Sequence, residues 1–319
     1  MSTNSAGELI QQHPTNVVAN PGYKTASDKP WSNSYKPIKS TTSYMKIHNG
    51  VIDANFENAF MGMMEDDAIR FRQPAVPTNQ RHWRLETEAD CENWFNTEIT
   101  NVVLSAWHSN PPLMQTSHTK PLTEENIPEN VDCTFSVKYG GKRYTVAIGE
   151  FKRNLLDPNE WGSGSITKGG QRKLSQELRG YASKYKCPQV FYFDGSNLVL
   201  LQFRAHRVEG IKNEDCEIDS WTIPVKNSSC SLRYALYRLL AQGWRRCQGE
   251  VAAVTGFTVG GLAPCSREYY TGVPIWKAAN GQRQKSHPLG YQRTIDGSTG
   301  AVVWSHQTYQ AEWETGAFW

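Results

Sequence analysis

Apolar residues recur with helical and strand-like periods through the middle of the chain, and they thin out towards both ends. The elements predicted from this pattern are a helix over 87–107, strands over 131–139 and 143–151, a helix over about 171–185, strands over 189–193 and 198–203, and a helix over 231–244. This order of helix, hairpin, helix, hairpin and helix predicts an α/β fold, in which a mixed central sheet is flanked by helices.

Local signals support the boundaries of these elements. Thr87 can cap the first helix, which should end before Asn110-Pro111-Pro112. Gly140-Gly141 separates the first two strands and predicts a tight hairpin turn. The run from Asp194 to Asn197 predicts a second turn between the next two strands.

The two ends of the chain differ from the middle. Residues 1–47 are rich in Ser, Thr, Asn, Pro and Lys, which predicts a disordered segment. Residues 48–84 carry scattered apolar positions and predict a weakly structured lead-in to one domain over 85–257. Residues 258–319 form an irregular tail rich in Gly, Tyr and Trp, and three alternatives stay open for it: it wraps the domain, binds a protein partner, or is disordered.

Composition narrows the class of protein. Lys and Arg number 34 against 31 Asp and Glu, so any basic surface must be local rather than global. The seven cysteines include no CxxC pair and no His partner at zinc-ligand spacing, which argues against a zinc site or a disulfide framework. No secretion signal and no long apolar run is visible, so we expect a soluble intracellular protein of the cytoplasm or nucleus that does not bind membranes.

The sequence feature most suggestive of chemistry is Asp132, followed after seventeen residues by Glu150-Phe151-Lys152. Two carboxylates on neighbouring strands can share Mg²⁺ or Mn²⁺, and a lysine two residues beyond one of them points to the same face of the sheet. A bound cation would activate a water, which Lys152 would orient, for attack on a phosphodiester. The alternative is a solvated pair of opposite charges at the end of a strand.

The predicted hairpin conflicts with a shared cation. If Gly140-Gly141 is a two-residue turn, Asp132 faces Gly149, and Asp132 and Glu150 then lie on opposite faces of the sheet. Joint binding therefore requires a β-bulge near Cys133 or a three-residue loop. We predict such an irregularity, and an unbroken ladder would exclude the shared cation.

In these residues and in its order of elements, the chain resembles the PD-(D/E)XK nuclease superfamily over about 86–205. Within that superfamily, 149–153, 174–185 and 191–204 are similar to a group of fungal proteins without an assigned function. The resemblance implies a restriction-endonuclease-like fold and a Mg²⁺- or Mn²⁺-dependent nuclease. Asp132 and Glu150 would be its metal-binding acids, and Lys152 its lysine.

Two accessory residues follow from the same resemblance. Glu98 lies on the expected inner face of the first helix, three residues from Phe95 and four from Trp94, and similar nucleases often take a further metal ligand from this helix. Glu92 is a weaker substitute, and a surface position for Glu98 is the alternative. Gln171 begins the apolar stripe of the second helix, where similar nucleases carry a Gln or Lys near the scissile phosphate; the alternative is a solvent-facing glutamine.

A basic segment follows the motif. Residues 152–186 contain eight Lys or Arg and only three Asp or Glu, which predicts a surface that holds a phosphate backbone. The residues predicted to contact nucleic acid are Arg153, Lys168, Arg172, Lys173 and Arg179. The alternative is an ordinary solvated helix face.

Two classes of function therefore compete. The first is a metal-dependent nuclease that acts on DNA or RNA. The second is a non-catalytic module on the same fold that binds nucleic acid or protein, including an effector or regulatory scaffold whose tail carries the activity. The sequence leaves open the choice between DNA and RNA, and between internal and terminal cleavage.

Overall fold

The computed structural model describes residues 4–109, 111–118, 129–252 and 257–316. The first 84 residues contain β1 (Asn4–Ser5), α1 (Ala6–Gln11), β2 (Val17–Ala19), β3 (Thr42–Ser43), β4 (Met45–His48), β5 (Val51–Ala54), α2 (Glu65–Phe71), β6 (Pro74–Ala75) and β7 (His82–Arg84). The middle contains α3 (Glu88–Phe95), α4 (Asn101–Ser105), β8 (Met114–Ser117), β9 (Cys133–Tyr139), β10 (Lys142–Phe151), α5 (Pro158–Ser163), α6 (Gly169–Lys184), β11 (Gln189–Phe193), β12 (Asn197–Phe203), β13 (Ile218–Pro224) and α7 (Leu232–Val251). The last part contains β14 (Pro264–Arg267), β15 (Pro274–Lys277), β16 (Arg283–Gln284), β17 (Tyr291–Ile295), β18 (Val302–His306) and β19 (Glu312–Trp313).

A seven-stranded mixed sheet organises the chain, with strand order β3-β13-β12-β11-β10-β9-β8. β10 runs parallel to β11, and β13 runs parallel to β3, whereas the other neighbours are antiparallel. One face packs on α1, α3, α4 and α7, and the other packs mainly on α6. The predicted α/β architecture with a mixed central sheet is therefore confirmed.

The central elements agree with the apolar pattern. Thr87 caps α3 by accepting a hydrogen bond from the backbone N–H of Asp90, and a π-helical turn, Asn96–Thr100, joins α3 to α4. Gly140 and Gly141 both have positive φ values, 57° and 80°, as a two-residue hairpin turn requires. Ser231 caps α7, which extends to Val251 and is longer than predicted.

The prediction of disorder for 1–47 is wrong for the described residues 4–47. Ser5 caps α1, and Ala6, Leu9 and Ile10 on this helix are buried in the same core as α7. β3 adds an edge strand to the large sheet beside β13. The apolar residues here are few, but each is buried by elements far along the chain, which no local window of sequence reveals.

The lead-in is also more ordered than expected. Phe56 and Phe60 are buried against Trp221 of β13, with ring centroids 5.5 and 4.3 Å away. This region also contains the short helix α2, whose Asp67 contacts Arg245 of α7. Residues 48–84 are therefore part of the domain rather than a loose extension of it.

The tail is not irregular within residues 257–316. It forms two three-stranded sheets, β14-β15-β16 and β17-β18-β19, around Val259, Trp276, Tyr291 and Trp304. These strands span two to five residues each, which is too short to give a visible period in the sequence. The buried carboxylate of Glu314 holds the second sheet by accepting hydrogen bonds from Arg293 and Trp304.

None of the helices in the described part of the chain combines the length and the apolar character that crossing a membrane requires.

One β-bulge interrupts the β9–β10 ladder. The pairs run from Tyr139↔Lys142 to Ser136↔Thr145, and the register then shifts so that Phe135 pairs with Ala147 and Cys133 with Gly149. Val146 is the extra residue. The predicted irregularity is confirmed, although it lies on β10 and not near Cys133.

Helix α7 packs directly behind the bulge. A Cβ placed on Gly243 would lie 2.0 Å from the carbonyl oxygen of Val146, so only glycine permits this approach. We therefore expect Gly243→Ala to lower the free energy of unfolding by about 1–3 kcal/mol, because backbone must move to relieve the overlap. Urea unfolding followed by circular dichroism would measure the loss.

The control is Gly170→Ala, since Gly170 is also helical and has open space around its Cβ position. We expect no loss of stability in the control. Equal stability of the Gly243→Ala variant and the wild type would show that the contact between α7 and the bulge is looser than described.

Candidate active site

The bulge brings Asp132 and Glu150 onto one face of the sheet. The ladder ends with Cys133 paired to Gly149, so Asp132 and Glu150 are the next residues beyond its end on the two strands. The backbone N–H of Phe151 donates to Asp132 Oδ2 at 2.8 Å, which fixes this carboxylate beside the end of β10. Lys152 lies two residues beyond Glu150, on the face that packs against α6.

Glu150 is fully buried and contacts two ammonium groups. Its Oε1 accepts hydrogen bonds from Lys152 Nζ at 2.5 Å and from Lys29 Nζ at 3.0 Å. Its Oε2 has no hydrogen-bond partner among the described residues. A buried carboxylate oxygen without a partner costs free energy, which makes this atom a candidate ligand for an added cation.

A third acid, Glu177 of α6, completes what we call the acid cluster: Asp132, Glu150 and Glu177. Glu177 Oε1 lies 2.8 Å from Lys29 Nζ and 3.9 Å from Lys152 Nζ. Its Oε2 accepts a hydrogen bond from Ser27 Oγ. The side chain is fully buried, so the two lysines supply its compensating charge.

The sequence reasoning missed both Glu177 and Lys29. Glu177 was detectable, because it lies three residues after Leu174 and four before Tyr181, on the buried stripe of α6. Lys29 carried no signal, since it belongs to a polar segment 121 residues before Glu150.

The surroundings shift the pKa values of Glu150 and Glu177 in opposite directions. Burial, followed by the negative charge of Asp132, raises the pKa of Glu150 to about 8. Burial also opposes ionisation of Glu177, but the charges of Lys152 and Lys29 outweigh it and hold the pKa of Glu177 below its ordinary value. At neutral pH, Glu150 is therefore mostly protonated and Glu177 is ionised.

The first long helix contributes Glu92 rather than Glu98 to this region. Glu92 Oε2 lies 2.8 Å from His118 Nε2, and His118 Nδ1 lies 3.6 Å from Asp132 Oδ1. His118 thus links the helix acid to the acid cluster. Glu92, the weaker substitute in the sequence reasoning, is the acid of this helix that reaches the site.

The contacts of Glu98 do not support the predicted metal-binding role. Its carboxylate is buried but already accepts hydrogen bonds from Asn16 Nδ2 at 2.7 Å, Thr78 Oγ1 at 2.8 Å and Trp83 Nε1 at 2.8 Å. The predicted inward position of Glu98 is confirmed, since the residue is 0% exposed, but its partners come from segments that precede the helix. Glu98 therefore ties the N-terminal segment to the helix.

Gln171 is also structural. Its Oε1 accepts hydrogen bonds from Trp161 Nε1 at 2.9 Å and from the backbone of Asp157 at 3.2 Å, and its Nε2 donates to the carbonyl of Leu155 at 2.8 Å. Both ends of the amide already have partners in the protein, and none of these contacts supports the predicted catalytic role. Gln171 instead holds the loop after β10 against the start of α6.

Two of the five predicted nucleic-acid contacts are buried, and the prediction is wrong for them. Arg153 Nη2 donates to the carbonyl of Leu85 at 2.7 Å, and Arg179 Nη1 donates to the carbonyl of Ile211 at 3.0 Å. Both side chains are at most 5% exposed, so they cannot reach a phosphate backbone. Their guanidinium groups satisfy loop carbonyls instead.

The other three predicted contacts are exposed. Lys168 forms an ion pair with Asp157, and Lys173 forms one with Asp28 at 3.0 Å. Arg172, between them on the first turn of α6, is also exposed. Exposed ion pairs are weak, so these three side chains stay candidates for contacts with a phosphate backbone.

The residues do not form an enclosed metal cage. Within the ranges that the structure describes, no three His, Cys, Asp or Glu side chains come close enough together to surround a metal ion. Any cation at the acid cluster would therefore have few protein ligands.

Comparison of the chain with protein-family models, with curated proteins and with solved structures gives no match in any of the three. A function must therefore be inferred from the geometry of the acid cluster.

The raised pKa of Glu150 makes stability depend on pH. Because the folded-state pKa lies above the unfolded-state value, the protonated group stabilises the fold at low pH, and this contribution is lost as the pH rises towards about 8. Glu150→Gln copies the neutral form of the side chain. We expect this variant to lose a pH dependence of the unfolding free energy of up to about 1 kcal/mol per pH unit. Chemical unfolding of both proteins between about pH 5 and 8 would measure it.

Glu209→Gln is the control, since Glu209 is exposed and should leave the slope unchanged. Parallel stability profiles for the wild type and Glu150→Gln would mean that Glu150 is ionised in the folded protein.

Proposed function

We propose that the chain is a metal-dependent nuclease that hydrolyses phosphodiester bonds. The observation that carries this proposal is the bulge at Val146, which turns Asp132 and Glu150 to one face beside Lys152. A β-bulge disrupts the regular hydrogen bonding of a strand pair, and bulges are frequent next to active sites. The order α3/α4, β8, β9, β10, α6 and β11, with β11 parallel to β10, also supports a restriction-endonuclease-like fold.

The residues fit a divalent cation. All donors of the acid cluster are carboxylate oxygens, which Mg²⁺ and Mn²⁺ prefer, and Mg²⁺ commonly takes only one or two protein carboxylates together with water and phosphate. Glu150 Oε2 is buried without a partner, and the ammonium of Lys29 already acts as a stand-in cation between Glu150 and Glu177. Asp132 and Glu150 would hold the cation, and Glu177, rather than the predicted Glu98, would add negative charge beside them.

When bound, the cation would polarise the phosphodiester and make a coordinated water more acidic. The protein residues have separate tasks around it. Lys152 holds the Glu150 carboxylate and brings positive charge to the place where a phosphate would develop negative charge. His118, which is hydrogen-bonded to Glu92, would add charge near Asp132 when protonated, at 3.6 Å from its Oδ1.

The surface beside the cluster supports a polyanionic substrate. Lys168, Arg172 and Lys173 are exposed on and before the first turn of α6, the helix that carries Glu177. Their positive charges would attract a phosphate backbone, and the affinity would fall as the salt concentration rises. This basic surface is smaller than the sequence suggested, because Arg153 and Arg179 are buried.

A second candidate function is a non-catalytic module that binds nucleic acid. It is favoured by one observation: Lys29 and Lys152 already compensate the charges of Glu150 and Glu177 without any metal ion. In that case the acid cluster would stabilise the fold, and the exposed basic residues of α6 would carry the function.

Cleavage assays separate the two candidates. Purified protein would be incubated with single- and double-stranded DNA and RNA in Mn²⁺, Mg²⁺ or EDTA. We expect cutting that needs metal and falls at least about a hundredfold in Glu150→Gln and in Lys152→Met, because each removes a group at the reacting phosphate.

Glu209→Gln and Lys212→Met are matched controls, since they make the same exchanges at exposed positions and should keep full activity. No cutting by the wild type, combined with salt-sensitive binding that the Glu150→Gln variant retains, would replace the nuclease with the binding module.

A further inference from the structure

Residues 20–35, which we call the strap, lie over the acid cluster. The strap has little regular structure apart from the 3₁₀ turn Pro30–Ser34, and most of its side chains are exposed or half-buried. Polar contacts attach it to the domain. Asn20 donates to Asn154 Oδ1 at 2.8 Å, and Thr25 exchanges two hydrogen bonds with the backbone of Arg153, at 2.9 and 3.1 Å.

The second half of the strap is attached to α6. Ser27 donates to Glu177, and the ring of Trp31 lies 5.0 Å from that of Tyr181. A Cβ on Gly180 would lie 2.4 Å from Trp31, so the indole rests directly on the helix backbone. These contacts place Lys29 between two anchor points, with its side chain pointing at the acid cluster.

Lys29 is the exposed member of an otherwise buried group. Its ammonium lies 3.0 Å from Glu150 Oε1, 2.8 Å from Glu177 Oε1 and 2.6 Å from the hydroxyl of Tyr181. The side chain is 34% exposed, whereas those of Glu150 and Glu177 are 1% and 0% exposed. The positive charge therefore reaches the acids from the solvent side, and the strap covers the route to them.

The charges make Lys29 exchangeable. Asp132 and Glu177 already outnumber Lys152, which directly follows β10 and compensates one acid at most. Without Lys29, buried negative charge would remain uncompensated, which is costly. A divalent cation would supply that charge with the oxygen ligands that it prefers. Lys29 and the cation would neutralise the same carboxylates. They therefore compete, and both cannot be fully bound at the same time.

We infer, on the basis of the nuclease function proposed above, that Lys29 is a tethered competitor of the divalent cation and that the strap keeps the site closed. Release of the strap removes the ammonium from Glu150 and Glu177 and opens the acid cluster to a cation and to a phosphate backbone. Metal binding and opening of the site are therefore thermodynamically linked. The bound cation favours the open strap, and the open strap favours the bound cation.

Metal binding tests this competition without reference to activity. Isothermal titration with Mn²⁺ alone would be performed on the full-length wild type, Lys29→Met and Lys24→Met. Methionine keeps the length of the side chain but removes the charge. We expect Lys29→Met to bind Mn²⁺ about tenfold more tightly than the wild type, and Lys24→Met, on an exposed strap residue, to bind like the wild type.

Hydrogen exchange on the wild type gives a second, independent measurement. Saturating Mn²⁺ should increase deuterium uptake in 20–35, because Thr25 loses its hydrogen bond to Arg153, and should leave α7 unchanged. Equal Mn²⁺ affinity of Lys29→Met and the wild type, or a strap that stays protected at saturating Mn²⁺, would overturn the inference. If Lys29→Met does not fold, the exchange measurement on the wild type decides.

The outcomes distinguish the two proposals. Tighter Mn²⁺ binding by Lys29→Met without cleavage of any nucleic acid would support the competition and overturn the nuclease. Metal-dependent cleavage at the same rate and with the same Mn²⁺ affinity in Lys29→Met and the wild type would support the nuclease and overturn the competition.

Discussion

The structure depends on one extra residue in a central strand. Side chains on a strand alternate between two faces, so the bulge at Val146 decides that Glu150 and Lys152 share a face with Asp132. The bulge is supported from the opposite face of the sheet, where Gly243 approaches it and Arg246 donates to the carbonyl of Thr145. The geometry of the acid cluster is therefore set by packing that the cluster itself does not contact.

Charge compensation is the second constraint, and it explains how a polar segment becomes part of a fold. The N-terminal segment has few apolar residues, yet it supplies Lys29 to Glu150 and Glu177, and Asn16 to Glu98. Buried carboxylates need such partners, since an isolated charge in a protein interior is costly. The polar residues that suggested disorder, among them Lys29 and Asn16, are the ones that provide charge and hydrogen bonds to these buried acids.

Long periodic elements could be predicted from sequence, whereas polar contacts between distant segments could not. The helices over 87–107 and 231–244 follow from apolar spacing, and the bulge follows from the conflict between the Gly140-Gly141 turn and a site shared by Asp132 and Glu150. The inward position of Glu98 could be predicted, but its partners could not, because Asn16, Thr78 and Trp83 come from segments before the helix. Arg153 and Arg179 were misplaced because charged residues are assumed to be exposed, and both are buried on backbone carbonyls.

The pairing of β3 with β13 has a consequence for the order of synthesis. Ser43 pairs with Ser220, and the strap docks on α6, so these two segments need partners that the ribosome makes later. β3 therefore lacks its partner strand until translation has passed β13, whereas β1, β2 and β5 pair earlier with the nearby β6, β7 and β4. The partners of Lys29, Glu150 and Glu177, are made before β13, so the strap can close over the acid cluster before β3 completes the edge of the sheet.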